Sequence, residues 1–174
     1  MYLSSVKPNE YSDFYKNYIR SLDEVDLVEE LRARKKVFND LLKEVPAQKF
    51  LFAYAENKWT LAELILHITD AERVFLYRAL RFARNDNTDL PGFDQDDYVL
   101  TGRANTRSPE HLLKEFNSVR DSSITLFESF DEEMLKRMGN ANGFPMSVRA
   151  IGFVISGHQK HHEKYIRERY LADE

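Results

Sequence analysis

Cysteine is absent from this chain, which excludes disulfides and a thiol nucleophile and leaves His, Asp and Glu as the side chains able to hold zinc or iron. Glycine and proline are scarce, six and five residues in 174, which argues against a loop-dominated or low-complexity chain. No apolar run approaches the roughly 20 residues of a membrane helix, the longest lying around Ile151 to Ile155. The opening Met1-Tyr2-Leu3-Ser4-Ser5-Val6-Lys7 carries no apolar signal core. Dense basic blocks are missing as well. The balance of 25 Lys plus Arg against 29 Asp plus Glu gives a net charge of −4, without the local density that a phosphate backbone demands. These absences set aside nucleic acid and membrane as partners and predict a soluble cytoplasmic protein.

Present instead are 43% hydrophobic, 13% aromatic and 31% charged residues, the charges spread along the whole length. That suffices for one sizeable core and is too short to suggest two, so residues 1–174 are read as a single domain. Helical periodicity dominates. A short N-terminal helix opens near Pro8 and Asn9, with Tyr11, Phe14, Tyr15, Tyr18 and Ile19 on one aromatic face that needs a partner surface. A first long helix runs from about Asp26 to Val45 and stops at Pro46. A second starts at Thr60, with Glu63 as its capping-box partner and Trp59 placed to staple onto Leu64.

Residues Asn85 to Arg107 hold five aspartates, Pro91 and two glycines without helical periodicity, and predict a long crossover back along the bundle to a parallel neighbour. Ser108-Pro109 opens a third long helix, inward through Leu112, Phe116, Val119, Arg120, Ser123, Phe127 and Phe130. A short turn of helix from Asp131 and an Asn140-Ala141-Asn142-Gly143 turn follow, and Ser147 caps a last helix from Val148 to about Leu171. The expectation is an all-α four-helix bundle with one long crossover connection and a short N-terminal helix.

Two histidines interrupt the apolar stripe of that last helix. Counting about 100° per residue from Ile151, the inward line reads Ile151, Ile155, His158, His162, with the two rings roughly 20° either side of its centre. An i, i+4 pair can offer one divalent ion a nitrogen from each ring. The third ligand expected is His67, the only other histidine on an inward part of a long helix; His111 reads as surface and His161 as a flank residue. A histidine on an apolar face is also compatible with a hydrogen-bonded core group, and only the convergence of all three favours a metal.

Other metal constellations fail on the letters. Gln159 follows His158, so the His-Glu-x-x-His protease helix is missing. Glu63 and His67 are four apart rather than the three of a di-iron Glu-x-x-His. Asp94-Gln95-Asp96-Asp97 lacks the glycine and the final Glu of a calcium loop and reads as a solvated or capping segment. Two arginines point inward: Arg120 and Arg78 either form structural ion pairs, with Asp70, Glu72 or Asp94 as partners, or anchor an anionic substrate group beside the metal. Tyr98 on the long connection could add a hydroxyl to such a substrate site.

The segments Lys58-Trp59-Thr60, Leu66 to Phe75 (LHITDAERVF), Leu90 to Tyr98 (LPGFDQDDY), Ser147-Val148-Arg149-Ala150 and Gly157-His158 through Arg169-Tyr170 together resemble the DinB superfamily of DinB/YfiT-like metalloenzymes. The likeness runs over most of the chain. It implies a four-helix bundle with a crossover, one divalent nickel, zinc or iron ion on three histidines that fall here on His67, His158 and His162, and homodimers. Similar members include bacillithiol and mycothiol transferases and isomerases. Gln159 stands where close relatives carry an acidic residue. The expected function is a metal-dependent enzyme on a small-molecule substrate, either a hydrolase working through metal-bound water or a transferase activating a low-molecular-weight thiol. The alternative is a non-catalytic metal-binding or dimeric scaffold protein.

Overall fold

Four long helices carry the apolar stripes, and a computed structural model describes residues 1–172. The chain begins with short 3-10 turns that lead into α1 (Lys16–Arg20). Next comes α2 (Leu27–Lys43), where the Asp26 carboxylate accepts from the backbone N–H of Val28 and Glu29. In α3 (Leu61–Ala83) the Thr60–Glu63 capping box forms as expected, each side chain satisfying a backbone N–H that the first helical turn leaves orphaned. Then follow α4 (Gln95–Thr101), α5 (Pro109–Glu128, capped by Ser108) and α6 (Glu132–Lys136). A hairpin of β1 (Met138–Ala141) and β2 (Phe144–Ser147) precedes α7 (Val148–Tyr165), capped by Ser147. Among the described residues no helix is long and apolar enough to cross a membrane.

Cross-links along the helices give their directions. Thr60 and Glu63 meet Asn105 just before α5, while Glu72 meets Arg120 and Ser123, so α5 runs parallel to α3. Lys35 meets Asp121 and Asn39 meets Asn117, making α2 antiparallel to α5. His67 lies against His162 and Phe75 against His158, which sets α7 antiparallel to α3. Each of α2 and α3 packs mainly on both α5 and α7. The expected crossover between parallel neighbours is therefore present. Its apolar interior falls into two regions, one around Phe38, Phe116, Leu61 and Ile65, the other around Phe82, Phe127, Phe153 and Ile151. Phe38 and Phe116, both fully buried, pack with ring centres 4.6 Å apart and planes tilted by 56°; withdrawing each such ring from water contributes about 1.5–3 kcal/mol.

Several elements differ from the sequence expectation. The crossover contains α4, started by Asp94, whose carboxylate accepts from the N–H of Asp96 and Asp97; the acidic cluster is a cap, and local capping chemistry outweighs the missing apolar period. The Asn142-Gly143 turn closes a true two-stranded hairpin, with φ of 53° and 79° at the two residues, the left-handed geometry that hairpin twist selects. The N-terminal helix shrinks to 3-10 turns and the five residues of α1. The last helix ends at Tyr165 and continues only as a π turn, Ile166–Tyr170.

Candidate metal centre

The antiparallel packing of α3 on α7 brings His67 beside His158 and His162, at the bundle end where α3 begins. The Nε2 atoms of His67 and His162 each lie 3.1 Å from Nε2 of His158, and the ligand atoms of all three sit within 4.8 Å of one another. A single proton can serve only one of these contacts. A divalent ion would take all three lone pairs, since nitrogens about 2.0–2.1 Å from a common tetrahedral centre stand about 3.3 Å apart. The residues present therefore fit the ion.

Burial prepares the rings for that role. His67 and His158 are buried and His162 is half-buried. Desolvation lowers the pKa of His67 to about 4, the nearby Asp96 charge opposing it only in part. Burial, then repulsion from His67 and His161, lowers His162 to about 3. His158, the most enclosed, is pushed well below the ordinary imidazole range by burial and by the other histidines. At neutral pH all three are uncharged and their lone pairs are free to coordinate.

Aromatic side chains enclose the triad. Trp59 packs on His67 at 4.8 Å, and Tyr18 from α1 presents its edge to His158 at 5.5 Å. Tyr18 reaches that far because Gly157 precedes His158: a Cβ at Gly157 would stand 2.2 Å from the Tyr18 carbonyl oxygen, so only glycine lets α1 approach α7 this closely. A cavity of about 490 Å³ opens over the histidines, walled by Trp59, Tyr18, Tyr165 and Asp96 among others. A second, of about 230 Å³, shares His67, His158 and Tyr18 and extends toward Phe75 and Arg78.

The predicted substrate residues separate. Arg120 is fully buried, donates from Nε and Nη2 to both carboxylate oxygens of Glu72 at 2.7 Å, and gives Nη1 to the Leu31 carbonyl. It lines neither cavity, so the ion-pair alternative replaces the anchor role: its charge is already paired, bidentately, with the Glu72 carboxylate. Tyr98 is 46% exposed and packs on Phe93 at 4.9 Å. Once the connection coils into α4, Gln95 and Asp96 line the cavity and Tyr98 does not. Arg78 lines the smaller cavity. His111 is exposed, and His161 packs between Tyr18 and Tyr165 at the flank. Sequence reasoning left Tyr18 and Asp96 outside the site, although the unpartnered aromatic face of the N-terminal segment was the signal for Tyr18.

The DinB superfamily profile matches residues 30–166. A protein of Oceanobacillus iheyensis, OB0413, named as a candidate metal-dependent hydrolase, is 26% identical over 118 residues, 66% of this chain and 66% of its own length. Among solved structures, YfiT from Bacillus subtilis, described as a probable metal-dependent hydrolase with an unusual four-helix bundle topology, superposes with a TM-score of 0.68. It is 16% identical, covering 94% of this chain and 90% of that one. The mycothiol-dependent maleylpyruvate isomerase superposes with a TM-score of 0.66 at 15% identity over 80% of this chain and 60% of its own. These likenesses establish the fold, and the profile match over most of the length establishes that the chain belongs to the DinB superfamily.

Proposed function

We propose that this protein is a metal-dependent enzyme with a mononuclear site on His67, His158 and His162, acting on a small molecule as a hydrolase or as a transferase of a low-molecular-weight thiol. The observation that carries this reading is the open, three-ligand character of the centre. Structural metal sites are closed by four protein ligands, whereas catalytic ones keep a position for water or substrate. Among the described residues the triad gathers no fourth His, Asp or Glu, and a cavity lies over it. That same feature weighs against a purely structural scaffold.

A divalent ion held there would supply Lewis acidity, making water or a thiol nucleophilic near neutral pH in a chain without cysteine. The protein's own side chains do the rest. Trp59 covers one side of His67 and limits water there. Tyr18 keeps its proton on Oη, because burial raises the phenol's pKa above its ordinary value, and so remains a neutral O–H donor beside His158. The Asp96 carboxylate lies on the cavity wall, and in this reading it would take up a proton from a bound reactant. The names of OB0413 and YfiT support the hydrolase, and the mycothiol-dependent neighbour supports the thiol. A cytoplasmic location and a homodimeric assembly belong to the same reading, the latter on the strength of the family resemblance.

Screens of ester and amide hydrolysis and of thiol conjugation, wild type against His67→Ala, test it. Turnover that disappears in a folded His67→Ala protein supports the enzyme. Lower thermal stability alone, with no turnover in wild type, supports the scaffold.

A further inference from the structure

Three arginines are buried among the described residues, and two of them have carboxylates. Arg120 is bidentate to Glu72, and Arg149 donates to both oxygens of Glu10 at 2.7 and 2.5 Å. Arg78, only 3% exposed, has none: among the described residues no carboxylate comes within ion-pair reach. Its hydrogen bond runs from Nη2 to the Pro91 carbonyl at 3.1 Å, and its guanidinium carbon sits 5.9 Å from the Phe75 ring centre. A guanidinium has five N–H donors and does not release its proton in a protein, so an interior one requires a counter-charge or access to polar solvent. Arg78 faces the roughly 230 Å³ cavity that it shares with His67, His158, Phe75, Phe93 and Tyr15.

The walls of that cavity say what the counter-charge is attached to. Phe75 lies between the two poles, 6.3 Å from His158 on one side and under Arg78 on the other. Its aromatic lining suits a short organic group better than a bare hydrated ion. We infer that Arg78 is a carboxylate-binding residue, and that the substrate is a small organic acid whose carboxylate sits at Arg78 while its reacting group reaches the histidine triad. The second half of this statement rests on the metal-enzyme reading; the carboxylate site itself does not.

The test is a titration of the metal-free full-length protein at pH 7 with acetate, benzoate, succinate and adipate, their uncharged amides, and inorganic phosphate. At least one carboxylate binds, its amide at least tenfold more weakly, and Arg78→Gln weakens the carboxylate tenfold or more while Arg78→Lys retains it within a few-fold. A second measurement needs no binding-deficient variant: the Nε–H resonance of Arg78, identified by its loss in Arg78→Lys, moves on carboxylate addition to wild type. Equal binding of acid and amide, unchanged affinity in Arg78→Gln, or a still Nε–H resonance overturns the proposal. So does phosphate binding more tightly than every carboxylate. An arginine that merely pins Pro91 would lower the thermal stability of Arg78→Gln and leave acid and amide alike in wild type. Because no metal is present in the titration, failure here leaves the triad standing, and a triad that binds no ion leaves this site standing.

Discussion

His67 and His158, 91 positions apart in sequence, bring their Nε2 atoms to 3.1 Å. Nothing local to either residue can do this. The contact depends on α3 and α7 running antiparallel at the depth set by their apolar stripes, and it puts two desolvated rings where repulsion forbids both to be protonated.

Acid should therefore unfold the metal-free protein through these rings. An unfolded histidine titrates near 6.5, and His67 and His162 are lowered in the fold to about 4 and about 3 by burial first. Groups with a depressed histidine pKa contribute stability fully above about pH 6.5 and lose it as pH falls toward those folded values. The melting temperature of metal-free wild type is expected to drop between pH 6.5 and 4 more steeply than that of His162→Asn. At about 2–4 °C per kcal/mol for a chain of this size, the divergence amounts to several degrees. Parallel profiles would remove the rings from the account.

Glu72 and Arg120 make the second test. Glu72→Gln strands a fully buried guanidinium, so unfolding free energy should fall by about 3–5 kcal/mol and the melting temperature by roughly 10 °C. Replacing both by methionine should cost much less than Glu72→Gln alone, because no charge is left without a partner. Denaturant unfolding of the two variants and wild type checks it; a nearly silent Glu72→Gln would mean that the pair does not hold α5 to α3.

Much of this was legible in the letters, for a physical reason. The Thr60–Glu63 cap and the His158–His162 spacing are i, i+3 and i, i+4 relations, decided within one helical turn. The third ligand followed from stripe matching, since His67 was the other inward histidine. What the letters withheld depends on partners distant in sequence. Arg120 could pair with Asp70, Glu72 or Asp94, and only the packing of α5 on α3 selects Glu72. The helix begun by Asp94 was hidden because its first turn caps itself without an apolar period. Tyr18 entered the site through a backbone approach that a glycine on another helix permits.

Gly157→Ala probes that approach. Alanine is worth about 1 kcal/mol over glycine in a helix interior, yet here its Cβ would meet the Tyr18 backbone at 2.2 Å, and backbone cannot swing aside as a side chain can. The variant is expected to be less stable than wild type, with Tyr18 ring resonances shifted as the ring leaves His158. A more stable Gly157→Ala protein with unmoved Tyr18 resonances would refute the close contact.

Metal content of untagged protein bears most directly on the centre. Elemental analysis after purification, or after loading with nickel, zinc or iron and desalting, is expected to give one divalent ion per chain in wild type and almost none in folded His158→Ala. Substoichiometric metal that His158→Ala leaves unchanged would contradict the three-histidine centre.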